Sequence, residues 1–231
     1  MATRAPIELD EWYHCYNRGV DKRRVFEAPR DYERFLLLLY LCNASERLHV
    51  SDLYNRSLEK VFGNKSLAKE RGESIVEIGA YSLMPNHFHM ALKEIKEGGI
   101  SLFMQKVMTG YTMYFNTKND RTGALFAGTF KAKHVDDDRY FKKLLSYIHM
   151  NAAELVEPEW RRGVGRISGV KKFLMSYRYA SLPDFMSRFN LDMSHGGILS
   201  IRVRDYFDAR PPVAEMLREA KEYYKDMHGK V

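Results

Sequence analysis

A chain of 231 residues suits one generous domain or a domain with a substantial appendage, and its 45% hydrophobic residues suffice for a buried core. The composition excludes disordered and collagen-like classes. Lys and Arg number 37 against 30 acidic residues, a net charge of +7 that attracts polyanions without identifying them.

Cys15 and Cys42 are the only cysteines, too few for a disulfide-stapled fold, and both sit in apolar stretches that make them small core residues. The first thirty residues lack a signal-peptide core, and no run of about 18 apolar residues predicts a membrane span. The expected compartment is the cytoplasm.

In chain order, the aromatic run Trp12-Tyr13-His14-Cys15-Tyr16-Asn17 reads as a strand ending at Arg18-Gly19. Pro29 and Asp31 open a helix through Phe35-Leu36-Leu37-Leu38-Leu39-Tyr40, apolar enough to be well buried. Residues 45–73 turn polar around Val61-Phe62 and read as an insertion with one short helix. Val76 to Leu83 and His87 to Lys93 form two strands joined by the turn Met84-Pro85-Asn86, an antiparallel hairpin.

After Gly98-Gly99, the residues Ile100, Phe103, Met104, Val107, Met108, Tyr111 and Phe115 recur at helical spacing, with Gly110 costing about 1 kcal/mol relative to Ala. A strand is expected from about Gly128 to Val135. Asp136-Asp137-Asp138 then caps a helix whose core stripe is Phe141, Leu144, Leu145 and Ile148. The order β-α-β-β-α-β-α predicts an α+β fold: a ferredoxin-like antiparallel sheet with helices on one face. Beyond Pro158 basic clusters (Arg161-Arg162, Lys171-Lys172) mix with Phe173, Tyr177 and Tyr179, and Pro211-Pro212 precedes a final helix from about Val213 to Tyr224. The expected organisation is one domain over 1–157, interrupted at about 45–73, and a C-terminal helical extension over 158–231.

His87 and His89 are two apart on a strand, so both imidazoles share one face about 6.6 Å apart and can converge on one ion. Phe88, Met90 and Leu92 point into the apolar layer. Alone the pattern is weak, because eight His in 231 residues yield about a quarter of one His-x-His by chance. Two polar residues on a solvated strand face are the simpler reading of it.

Tyr147 and Asn151 lie one helical turn apart beside the core stripe. The Asn151 amide could complete a ligand set with two imidazoles, leaving positions open for phosphate oxygens and water. Tyr147 would then be the nucleophile, one turn from the ion; a phenol with pKa near 10 needs such help. Taken singly, Tyr147 reads as an aromatic at the edge of the core.

These residues fall within four ordered stretches: YHCYNRG (13–19), YSLMPNHFHMAL (81–92), LFAGTFKAKHVDDDRYF (125–141) and LLSYIHMN (144–151). Together they resemble the single-tyrosine HUH transposases of the IS200-like type, particularly the REP-associated tyrosine transposase branch, over roughly residues 12–155. The resemblance implies single-stranded DNA with a hairpin as substrate and Mg²⁺ or Mn²⁺ as cofactor. It implies attack by Tyr147 to leave a 5′-phosphotyrosine and a free 3′-hydroxyl, with His87, His89 and Asn151 as metal ligands. The chain departs from the branch in carrying Ala152-Ala153-Glu154-Leu155 after the asparagine, where Pro-Val-Arg-Ala is common.

Arg18, Lys131, Lys133 and Arg139 are the candidate DNA-phosphate contacts; solvated surface charge is the plain alternative for each. Three functions compete: a DNA strand transferase, a catalytically inactive hairpin-DNA-binding protein, and a metal-dependent phosphodiesterase acting through water without Tyr147. No membrane partner is expected, and the assembly is a monomer or a homodimer.

Overall fold

The computed structural model describes residues 6–46, 70, 72–162, 167–188 and 198–228. Four strands form one antiparallel sheet: β1 (Trp12–Arg18), β2 (Val76–Met84), β3 (His87–Glu94) and β4 (Lys131–Val135), in the spatial order β2-β3-β1-β4. With α1 (Pro29–Cys42) between β1 and β2, and α2 (Gly99–Lys118) between β3 and β4, this is the ferredoxin-like βαββαβ arrangement. The expected fourth strand begins at Lys131 rather than Gly128, whose φ of 79° belongs to the preceding turn.

α1 and α2 cover one face. Phe35 of α1 meets Phe88 of β3 (5.2 Å between ring centroids) and Tyr111 of α2 (5.1 Å). Gly110 has a packing reason: a Cβ there would stand 3.3 Å from Leu38 Cδ2, so its absence lets the two helices close. Asp31, fully buried at the start of α1, accepts from the backbone N–H groups of Glu27 and Ala28 (both 2.9 Å) and from Tyr114 Oη and Lys118 Nζ of α2 (both 2.8 Å). Burial pushes its carboxyl up, but Lys118 and the other donors outweigh this and hold it below the usual range.

Asn43, at the end of α1, accepts from Ile75 and Val76 N–H and donates to Val76 O, which splices α1 to β2. Ser45 N–H donates to Glu73 O (2.8 Å), so the chain leaves and re-enters the fold at one place. The short helix expected in the insertion falls within 47–69 and 71, outside the described residues.

α3 (Asp138–Met150) lies on the opposite face, with Asp137 accepting from Tyr140 N–H as its N-cap. Phe141, Leu144, Leu145 and Ile148 are buried, as their spacing requires. Phe141 stacks on Trp12 at 4.3 Å, and Gly79 of β2 leaves room for that pair: a Cβ there would sit 2.9 Å from the indole. A 3₁₀ turn (Asn151–Leu155) continues α3.

The chain beyond Pro158 completes this second face. It contains α4 (Ile167–Ser176), α5 (Leu182–Arg188), a 3₁₀ turn (Ile201–Tyr206) and α6 (Val213–His228). The link between α4 and α5 runs along the free edge of β2, where Leu83 N–H donates to Tyr179 O and Ser181 N–H to Tyr81 O (both 2.9 Å). α6 packs along α3 through Met216, Leu217, Ala220 and Tyr223, with Lys143–Glu222 (2.9 Å) and Ser146–Glu219 (2.6 Å) as polar ties. The tail's apolar residues belong to the same core as the sheet.

Candidate active site

Strand alternation puts Trp12, His14 and Tyr16 of β1 on the face that α3 and α6 cover, and His87 and His89 join them from β3, where Tyr16 pairs with His89. The residues of opposite parity, such as Cys15, Phe88 and Met90, are fully buried in the core. Each strand thus packs with one set of side chains and presents the other.

The imidazoles of His87 and His89 stand 5.1 Å apart, centroid to centroid. Tyr147 of α3 meets His89 edge-on at 5.3 Å. The predicted nucleophile and two of the three predicted ligands, His87 and His89, therefore share one cleft of about 690 Å³, lined also by Arg18, Asn86, Lys131, Glu154, Arg161 and Tyr224; Asn151 lies outside its lining.

Each histidine commits its Nδ1 away from the cleft centre. His87 Nδ1 lies 2.6 Å from Asn86 Oδ1, an oxygen that can only accept, so this nitrogen carries the proton and Nε2 keeps its lone pair. His89 Nδ1 lies 2.8 Å from His14 Nε2. Burial pushes the His87 imidazole below its usual range, while Glu154 and Asn151 pull it back in part. A neutral ring is the ligand-competent form.

Asn151 is fully buried, and its amide lies close enough to His87 to favour the charged ring. Neither Oδ1 nor Nδ2, however, completes a hydrogen bond of normal geometry. An orphaned buried amide beside two imidazoles fits a divalent cation that would accept its oxygen. Among the described residues no cluster of three or more His, Cys, Asp or Glu side chains converges, so the third protein donor for such an ion would be the amide.

Tyr147 is only 4% exposed. Burial raises its hydroxyl to about 12, against the pull of Arg161, which lies within hydrogen-bonding reach of it. Arg161 is held from three sides. Its Nη1 pairs with Glu154 (2.8 Å), and its guanidinium sits over the rings of Trp160 (4.9 Å) and Tyr224 (4.5 Å). A rigid cation beside a phenol is suited to stabilising a phenolate or an equatorial phosphate oxygen.

The four candidate DNA contacts divide. Arg18 and Lys131 are exposed at the cleft mouth. Lys133 is tied to Tyr140 Oη at 2.7 Å, and Arg139 is exposed on the first turn of α3, outside the residues that line the cleft.

Sequence reasoning passed over Arg161, Asn86, His14 and Tyr223. The period-two alternation of β1 could have placed His14 with the two histidines of β3, and Asn86 was read only as a turn residue. Nothing local marks Arg161 or Tyr223, whose partners lie far away in the chain. His149 turns from the cleft towards Phe185 and Ser181, and burial lowers it to about 3, which keeps it neutral.

Comparison with known proteins gives a family-model match over residues 47–151, to the family described as "Transposase IS200 like". A solved structure titled "Structure of the REP associates tyrosine transposase bound to a REP hairpin" aligns at 12% identity with a TM-score of 0.49, covering 92% of this chain and 97% of that one. No curated protein matches.

Proposed function

We propose, from the match of residues 47–151 to the IS200-like transposase family, that this chain cleaves and rejoins single-stranded DNA beside a hairpin through a 5′-phosphotyrosine intermediate. The observation that supports this reading is the convergence of Tyr147 with His87 and His89 in a single cleft, with the Asn151 amide buried beside His87. A bound Mg²⁺ or Mn²⁺, held by His87, His89 and Asn151, would supply Lewis-acid polarisation of the scissile phosphate.

The protein's own residues do the rest. Arg18 and Lys131 draw the DNA backbone to the cleft mouth. Tyr147 Oη forms a bond to phosphorus, and the bond to the 3′-oxygen breaks to leave a 3′-hydroxyl. Arg161 offsets the cost of deprotonating a phenol whose pKa is raised, and stays positioned for the charge that grows on the phosphate. The ester keeps a leaving group that a second strand end can displace, which hydrolysis would discard.

A hairpin-DNA binder that does not cut is the second reading, and the near-complete burial of Tyr147 favours it. One experiment separates the two. The protein is incubated with Mn²⁺ and 3′-labelled single-stranded hairpin DNA, then resolved on a denaturing gel. The transferase forms a covalent adduct that Tyr147→Phe abolishes, and EDTA suppresses it. Binding without cleavage in the wild type supports the binder, and cleavage that survives Tyr147→Phe supports a phosphodiesterase acting through water.

A further inference from the structure

His14 is fully buried, makes no contribution to the mechanism above, and stands between β3 and the C-terminal helix. Its Nε2 lies 2.8 Å from His89 Nδ1, and its Nδ1 lies 3.0 Å from the hydroxyl of Tyr223, also fully buried. Tyr223 continues to Tyr140, whose oxygen accepts from Lys133 Nζ at 2.7 Å. One line of polar contacts thus joins β3, β1, α6, α3 and β4.

Proton order along this line has a consequence for His89. A neutral imidazole carries one N–H. If His14 donates from Nε2, then His89 accepts at Nδ1 and must carry its proton on Nε2, the nitrogen a cation needs bare. In the opposite order His89 Nδ1–H donates to His14 Nε2, His14 Nδ1–H donates to Tyr223, and Tyr223 donates to Tyr140. Lys133 has donors only, so the Tyr140 oxygen can accept from both neighbours while its own O–H, in a half-buried residue, turns to solvent. Both orders connect the line, but only the second leaves His89 Nε2 bare for a cation.

We propose that His14 and Tyr223 are positioning residues that hold His89 as its Nδ1–H tautomer and so make α6 part of the metal site. The inference rests on the metal reading of the preceding subsection. His87 shows the same device in simpler form, with the Asn86 oxygen in the place His14 takes for His89. Outer partners of this kind typically contribute 10–100-fold to metal affinity.

The test uses the full chain. Long-range ¹H–¹⁵N spectra of the metal-free protein report the His89 tautomer, and Mn²⁺ titration followed by EPR reports affinity. Wild-type His89 is expected to be protonated at Nδ1. His14→Phe keeps an aromatic ring but no acceptor, and should mix the His89 tautomers and weaken Mn²⁺ binding by roughly 10–100-fold. Tyr223→Phe removes one hydroxyl and should weaken it by a smaller factor, while His14→Gln, whose amide oxygen can accept, should recover most of the affinity. Thermal melts of the same variants guard against unfolding, because a merely structural His14 would move Tm and leave the Tyr223→Phe affinity and the tautomer alone. A wild-type His89 bare at Nδ1, or Mn²⁺ affinities in His14→Phe and Tyr223→Phe equal to that of the wild type, overturns the proposal alone. A wild-type chain that takes up no Mn²⁺ overturns the metal reading beneath it as well.

Discussion

At the scale of single residues, the site is set by what each polar group can and cannot do with its second partner. Asn86 and His14 occupy one ring nitrogen of each histidine, and Asn151 keeps a buried amide unpaired. In the proposed reaction Arg161 matters most, because its guanidinium is held against the Tyr147 hydroxyl. Arg161→Ala should lower the rate of covalent adduct formation by about 10²-fold, the cost of removing one donor to developing charge. Arg161→Lys should recover only part of that rate, because an ammonium lacks the planar fork that two aromatic rings and Glu154 hold in place. Single-turnover gels measure both, and hairpin affinity by anisotropy should change far less than rate; an equal fall in both would assign Arg161 to binding.

Elements were legible where periodicity is local. The spacing of Ile100, Phe103, Met104, Val107, Met108, Tyr111 and Phe115 specified α2, and all are buried except Met108, which is half-buried. The His-Phe-His alternation of β3 likewise specified which side chains share a face. What joins elements was less visible. Asp31 reads in the sequence as an N-terminal signal for α1, yet in the fold its carboxylate also fastens α1 to α2 through Tyr114 and Lys118. Asp31→Asn leaves Lys118 without its counter-charge and should destabilise the protein by about 3 kcal/mol in urea unfolding. The pH dependence has a definite sign. The folded carboxyl lies below the unfolded value of 3.8, so its stabilisation is complete above that value and is lost as pH falls below it through the folded pKa. The variant should therefore lack that part of the wild-type acid transition.

For the whole molecule, the positive excess becomes informative only once the fold sorts it. Arg18 and Lys131 reach the cleft, whereas Lys133 is engaged with Tyr140 and Arg139 lies outside. Substituting Arg18 or Lys131 by Ala should each flatten the plot of log affinity against log salt for hairpin DNA by about 0.7 to 0.9. Arg139→Ala should leave the slope unchanged, and a comparable flattening in that variant would place the DNA on a different face. The tail's last helix was legible, but its part in the site was not, for a related reason: that part lies in contacts such as Trp12–Tyr206 and His14–Tyr223, separated by 194 and 209 positions, which no local pattern encodes.

The contact between Tyr223 and His14 also bears on the order of events in synthesis. A chain synthesised only as far as α3 has no hydroxyl against the ring of His14 and no Tyr223 ring against Tyr147. A nascent chain of that length therefore carries the histidine cluster without its outer partner. Any chain that stops short of Tyr223 lacks both the hydroxyl at His14 and the ring that stands 5.1 Å from Tyr147.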